Sequence, residues 1–291
     1  MNGLLVLDKP AGMTSHDVVA RVRRATGEQS VGHLGTLDPM ATGVLPLLLG
    51  KFTRLAQFFS ASEKAYRGTI RFGFATNTWD AEGQPVGVTR SVSLTLEQVR
   101  EHAAKFVGEI EQMPPAFSAK KIEGKPAYKL ARAGKTPELR PVRITVDDFT
   151  IERVEGDTAA FAMRISAGGY VRSIAHGMGE ALGCGAHLAS LQRTAAGPFT
   201  LDDAFPLTQA ESLATEGKLE ERLVHPRTLL PDMPAVTADE QSVGRLRNGM
   251  QVNLPEYSGA AQVKIFAGQR ELVAIGRRVA GTLFHPAVVL C

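Results

Sequence analysis

Apolar positions fall into short runs separated by glycine, proline and polar clusters, and the period changes from run to run. GLLVLDK (3–9) is almost continuously apolar and is closed by Pro10 and Gly12, the pattern of a short buried strand. Thr14, with Asp17 three residues on, forms a capping-box pattern; Val18, Val19 and Val22 follow at helical spacing up to about Thr26, and Gly27 ends the helix. The stretch from residue 31 is then a glycine-rich loop leading into VLPLLLG (44–50), a buried strand, and TRLAQFFSAS (53–62), an amphipathic helix. AYRGTIRFGFAT (65–76) alternates as a strand does, TNTWDAEGQP (76–85) is polar and loop-like, and 94–108 is a helix capped by Thr95. A segment opening at Pro114-Pro115 includes a short helix, AYKLARAG (127–134). Strand patterns return at 142–154 and from 158; the latter turns at Gly168-Gly169 before passing into a helix, and 187–199 is strand-like again. In GGYVRS, strand alternation sets Tyr170 and Arg172 on one face.

After an acidic stretch (201–224), two prolines in LLPDMPAVTAD (229–239) mark a boundary, giving units of 1–232 and 233–291. The second carries short strands at QVKIF, ELVAIGRRV and TLFHPAVVL with Gly-containing turns between them, the pattern of a small β-barrel. There is no fixed-period repeat.

Composition adds little to this picture: 291 residues, 44% hydrophobic and 22% charged, are those of an ordinary folded soluble protein. No signal-peptide pattern opens the chain and no window approaches a membrane span. The two cysteines, Cys184 and Cys291, form no metal-type pair, and reduced thiols in a cytoplasmic protein are the simplest reading. Charge adds more. The net charge is only +3, yet residues 114–143 hold eight Lys/Arg, among them Lys120, Lys121 and Lys125, against Glu123 and Glu138. A local excess of that size suits a phosphate-bearing partner, although a solvated basic surface has the same composition.

Two near-motifs fail. GVLPLLLGKFT (43–53) spaces its glycines too widely for a phosphate loop and has Phe52 where a magnesium-binding hydroxyl belongs, and GMGEALG (177–183) misses the dinucleotide fingerprint. What remains is 31–43, where Gly32, Gly35 and Gly43 surround His33 and the pair Asp38-Pro39. Alone it reads as a turn. Tyr66 in KAYRG and the Tyr170–Arg172 face supply partners, since an arginine there needs pairing or solvent.

These residues stand in longer stretches that together resemble one family. GHLGTLDPMATGVLPLLLG is similar to the catalytic motif of bacterial TruB-type tRNA pseudouridine synthases, which modify uridine 55 of the T-loop. LLVLDKPAGMTSHDVV, KAYRGTIRFG with TNTWDAEG, MPPAFSAKKIEGKPAYKLARAG, GGYVRSIAHGMGEALG and LASLQRTAAGPF resemble it in the same order. The resemblance implies an α+β pseudouridine synthase fold, a mixed, mainly antiparallel sheet flanked by helices, followed by a small PUA-like barrel. It implies Asp38 as nucleophile, Tyr66 stacking on a flipped uracil, and Arg172 paired with Asp38, holding it ionised by lowering its pKa. Leu191 becomes an apolar contact to the base, Tyr170 a support of the pocket wall and Lys9 a lysine near the site. His33 becomes the side chain that fills the space left by extruded bases. Residues 114–143 become an RNA-binding insertion in which Lys120, Lys121 and Lys125 meet phosphates. The implied partner is tRNA, with the C-terminal module reaching the acceptor stem; the implied state is a monomer without metal or redox cofactor. An RNA-folding chaperone with secondary catalysis, or a synthase for another RNA, is the alternative.

Overall fold

The computed structural model describes residues 1–290 except 119, 123–124, 128–129 and 131–138, and gives the backbone alone for 121, 122, 125 and 126. The AYKLARAG helix lies for the most part outside the described residues. The chain builds one ten-stranded sheet and a separate five-stranded C-terminal sheet. The centre of the large sheet runs Gly3–Lys9, Thr42–Leu49, Ala186–Ala196, Lys64–Phe72, Thr158–Ile165, Val142–Glu155, Gly108–Gln112. Two contacts are parallel, Phe205–Pro206 beside Leu7–Asp8 and Gln192–Arg193 beside Thr42–Gly43; the rest are antiparallel. A short strand missed in the sequence reading, Val31–His33, pairs with Leu47–Leu49 at the entrance to the Asp38 loop.

Both faces of this sheet are buried at Gly3–Lys9 and Thr42–Leu49, so these two strands read as unbroken apolar runs, while Lys64–Phe72 and Val142–Glu155 alternate. Leu5, Leu7, Leu45, Leu47 and Leu49 face the helices Ser15–Thr26, Leu96–Ala104, Val171–Ala181 and Leu207–Thr215. Leu4, Val6, Val44 and Leu48 face the other way, into a core that continues through Leu229 to Phe266, Leu272, Ile275 and Val288 of the C-terminal sheet. That module therefore shares apolar packing with the main sheet. Its own interior closes on Val263, Ile265, Val273 and Phe284, and its sheet curls as a PUA-like half-barrel does.

The first helix has its capping box, with Thr14 and Asp17 satisfying each other's backbone amides, and Gly27 closes it in the left-handed conformation. Thr95 and Gln98 cap Leu96–Ala104 in the same way. Two expectations need correction. The amphipathic helix at 53–62 is mainly a tight 3-10 turn, Gly50–Leu55, followed by only four α-helical residues, Ala56–Phe59. GGYVRS is not strand: Tyr170 is the N-cap of Val171–Ala181 and Arg172 lies in its first turn. The glycines at 168 and 169 reverse the chain, and the helical period then takes over, burying Val171, Arg172, Ile174, Ala175 and Met178.

Candidate active site

The Asp38 loop is held from below before any side chain in it reacts. Lys9 ends the first strand wholly buried, and its ammonium donates to the carbonyls of Pro10 (2.8 Å), Met13 (2.5 Å) and Pro39 (3.2 Å). Burial pushes its pKa down to about 8, against the pull of nearby Asp38. Lys9 thus lies beneath the loop and does not line the cleft above it. Ser15 adds a second tie, donating to the Leu37 carbonyl and accepting from the Leu37 amide, and the Ala41 amide closes a turn onto the Asp38 carbonyl. Gly43, where the loop rejoins the sheet, has φ +99°, and a Cβ there would lie 2.2 Å from the Arg193 carbonyl oxygen. Only glycine permits that parallel contact.

Arg172 reaches the loop from the opposite side. Its Nη2 donates to Asp38 Oδ1 and to the Phe117 carbonyl, both at 2.9 Å; its Nη1 donates to the Thr78 carbonyl at 3.2 Å and lies 3.4 Å from Asp80 Oδ2. The side chains of Arg172 and Asp80 are 5% and 4% exposed, whereas Asp38 keeps 29% exposure toward the cleft. One guanidinium therefore links a hidden carboxylate to a presented one. Asp80 takes a further hydrogen bond from the Thr78 hydroxyl (2.5 Å) and one from the Glu82 amide (3.1 Å). The bend that places it includes Trp79 at φ +64°, whose ring stacks on His176 of the Arg172 helix at 4.5 Å. Gln112 fixes the start of that helix, accepting from the Tyr170 amide at 2.7 Å and donating to its carbonyl at 3.0 Å.

The expected effect of Arg172 on Asp38 is outweighed. Burial pushes the Asp38 carboxyl above the usual carboxylate range, and the charge of Asp80 adds to it; Arg172 and Lys9 pull the other way without overcoming them. Burial, followed by the charges of Asp80 and Asp38, also raises Glu82. Arg172 offsets part of the cost of ionising Asp38 and sets its direction, but does not make it an unusually strong acid.

A cleft of about 720 Å³ opens over Asp38, lined also by His33, Tyr66, Tyr170, Arg172, Leu191 and Lys120. Seven of the residues singled out in the sequence thus converge on one cavity. Tyr66 and Leu191 come from adjacent antiparallel strands and are nearly buried, each 8% exposed. Burial raises the Tyr170 phenol. Lys120 donates to the Arg140 carbonyl at 3.2 Å. The backbones of Lys121 and Lys125 lie in a two-stranded ladder, Lys121–Ile122 with Lys125–Pro126; their side chains lie outside the described residues. Three features of the site escaped sequence reasoning: Asp80, buried behind Arg172, and the basic pair Lys64 and Arg193 on the cleft wall. A charged residue in a polar loop, or one step along a strand from a recognised residue, carries no local mark of burial.

A buried arginine holding one partly exposed carboxylate in a cleft, beside an aromatic and an apolar side chain, makes a site that can hold a planar group against that carboxylate. Residues 23–171 match the model of the TruB family pseudouridylate synthase N-terminal domain, and residues 172–233 that of the tRNA pseudouridylate synthase B C-terminal domain. A tRNA pseudouridine synthase B from Solibacter usitatus is 47% identical, with all of both chains covered; that from Geobacter sulfurreducens is 42% identical over 93% of this chain and 89% of its own. The chain belongs to the TruB family of pseudouridylate synthases. Among solved structures, a Cbf5–Nop10–Gar1 complex matches 99% of this chain and 85% of its own at TM-score 0.74 and 26% identity. An H/ACA RNP bound to a substrate RNA containing 2′-deoxyuridine matches the same shares at TM-score 0.71 and 25% identity.

Proposed function

We propose that this protein isomerises uridine 55 in the T-loop of tRNA to pseudouridine, with Asp38 as the nucleophile acting on an extruded nucleotide. The reaction breaks the N1–C1′ bond, turns the uracil and joins C5 to C1′; the C5 proton leaves and N1 ends protonated, so the formula of the RNA is unchanged. The observation that carries this reading is the placement of Asp38, gripped by Arg172 yet open to a cleft walled by Tyr66 and Leu191. Tyr66 stacks on the uracil and Leu191 covers its other side, replacing part of the stacking lost on extrusion, a cost of a few kcal/mol. His33, at the end of the Val31–His33 strand that leads into the Asp38 loop, fills the gap left in the RNA. Tyr170 supports the wall beside Arg172.

Lys9 positions the loop through Pro39. Residues 114–143, with Lys120, Lys121 and Lys125, meet backbone phosphates, which gives affinity and salt dependence without sequence reading. Residues 1–232 form the catalytic unit and 233–291 an RNA-binding module directed at the acceptor stem; the protein acts as a monomer. Unmodified tRNA transcript incubated with the protein and mapped at nucleotide resolution tests the reading. Pseudouridine is expected at position 55; its absence, or its appearance only elsewhere, overturns the assignment.

A further inference from the structure

The cleft wall holds positive charge that no carboxylate among the described residues answers. Arg193 is 1% exposed, and its Nε and Nη2 donate to the carbonyls of Val44 (2.7 Å) and Gly35 (3.1 Å). Its remaining nitrogen, Nη1, has no hydrogen-bond acceptor among the described residues, and no carboxylate there pairs with the guanidinium. Lys64 is beside it: a Cβ on Gly35 would lie 3.4 Å from Arg193 Nη1 and 3.6 Å from Lys64 Cε. The Lys64 ammonium donates to the Ser62 carbonyl and likewise has no acidic partner among the described residues. Burial, then the Arg193 charge, lowers the Lys64 pKa. His33 lines the same cleft, with its Nδ1 buried and without a hydrogen-bond partner. Two adjacent, poorly solvated cations without a counter-ion are costly unless an anion arrives from outside.

The strand geometry indicates which anion. Lys64 and Tyr66 are two residues apart on one strand, Leu191 and Arg193 two apart on the next, and Tyr66 is directly opposite Arg193. All four line the cleft. A two-residue step along a strand is about 7 Å, comparable to the separation between a nucleotide's base and its phosphate. Both cations thus lie within one nucleotide's reach of the base wall, Arg193 across from Tyr66 and Lys64 one same-face step along from it. Resting on the reading of this cleft as an RNA-modifying site, we propose that Lys64 and Arg193 form a subsite for one phosphodiester flanking the extruded nucleotide. The bound phosphate supplies the missing counter-charge and sets the register of the ribose over Asp38, so positioning depends on the nucleotide's own backbone as well as on its base.

The test uses T-arm stem-loops in which one of the two phosphates flanking the target uridine is replaced by a neutral methylphosphonate. Arg193 stays intact, because it also holds the Val44 and Gly35 carbonyls; Lys64→Gln is the working variant and Lys64→Arg the conservative control. For wild type, neutralising one flanking phosphate is expected to lower kcat/KM about tenfold, the scale of a charge-assisted hydrogen bond. Lys64→Gln loses about as much on unmodified RNA and no more on the methylphosphonate RNA, and Lys64→Arg recovers most of the loss. Losses that multiply at both phosphates, or a Lys64→Gln rate equal to wild type on unmodified RNA, overturn the proposal. Wild type that fails to convert unmodified RNA refutes the functional reading instead; the same pairwise comparison made on equilibrium RNA binding then still decides the phosphate subsite.

Discussion

Arg172 and Arg193 are both buried, both line the same cleft, and are neutralised in opposite ways. Arg172 lies between Asp38 and Asp80, so its charge is answered within the chain and its hydrogen bonds orient the presented carboxylate. Arg193 meets only carbonyl oxygens among the described residues, so its charge stays available to whatever enters. On the proposed reading, the guanidinium between two carboxylates holds the reacting group and the one among carbonyls meets the substrate's anion. The first is expected to govern turnover and the second the placement of substrate.

The largest effect that would break this contrast is at Arg172. Arg172→Met strands two acids in a buried site and is expected to cost about 3–5 kcal/mol of stability, the scale of a broken buried ion pair. Turnover should fall at least about a hundredfold, as when a reacting group is misplaced by an ångström. Denaturant unfolding and single-turnover kinetics read the two losses; a variant with wild-type turnover would show that Asp38 needs no such grip. Asp80→Asn is milder, because Arg172 keeps Asp38 and the two carbonyls of Thr78 and Phe117. Turnover about tenfold lower, with RNA affinity unchanged, is expected for the loss of one charge-assisted contact.

Acid sharpens the contrast further. Because burial raises the Asp38 carboxyl, the folded chain keeps this proton to a higher pH than the unfolded chain does. Its contribution to stability therefore falls as pH rises from the unfolded-state value through the folded-state value, while activity, which follows the ionised form, rises over the same window. On acidification from pH 7, wild type should gain stability relative to Asp38→Asn in denaturant unfolding, the difference carrying the Asp38 titration together with the part of the Glu82 shift that the Asp38 charge causes. A relative loss would mean that Arg172 dominates after all. The smallest effect is at the rim. Lys120→Gln should reduce the slope of log affinity against log salt by about one, as for a single phosphate contact; an unchanged slope removes Lys120 from the RNA surface.

Much of this was legible in the sequence because local patterns and the recognised stretches agreed. The Thr14–Asp17 box and the Thr95 cap are local signals, and both helices begin where they predict. The apolar runs GLLVLDK and VLPLLLG are buried on both faces, which is why they do not alternate. Failures came where tertiary geometry decides. Tyr170 and Arg172 fit a strand's alternation as well as a helix's first turn, and only the reversal at Gly168-Gly169, fixed by Gln112, makes the second true. Asp80 lies in a stretch with every mark of a surface loop, and its burial depends on Trp79 stacking on a helix almost a hundred residues away. The direction of the Asp38 shift was misjudged for a related reason: its pairing partner is visible as a residue type, but the depth of the pocket and the second carboxylate are not.

The central claim, that the Asp38 carboxylate performs the chemistry while the rest of the cleft binds and positions, is tested most directly by Asp38→Asn. The substitution keeps the size of the side chain while removing the carboxylate. Single-turnover assay of pseudouridine at position 55, with RNA affinity measured in parallel, should give no detectable product and affinity within a few-fold of wild type. Product formed at a rate near that of wild type would contradict the account.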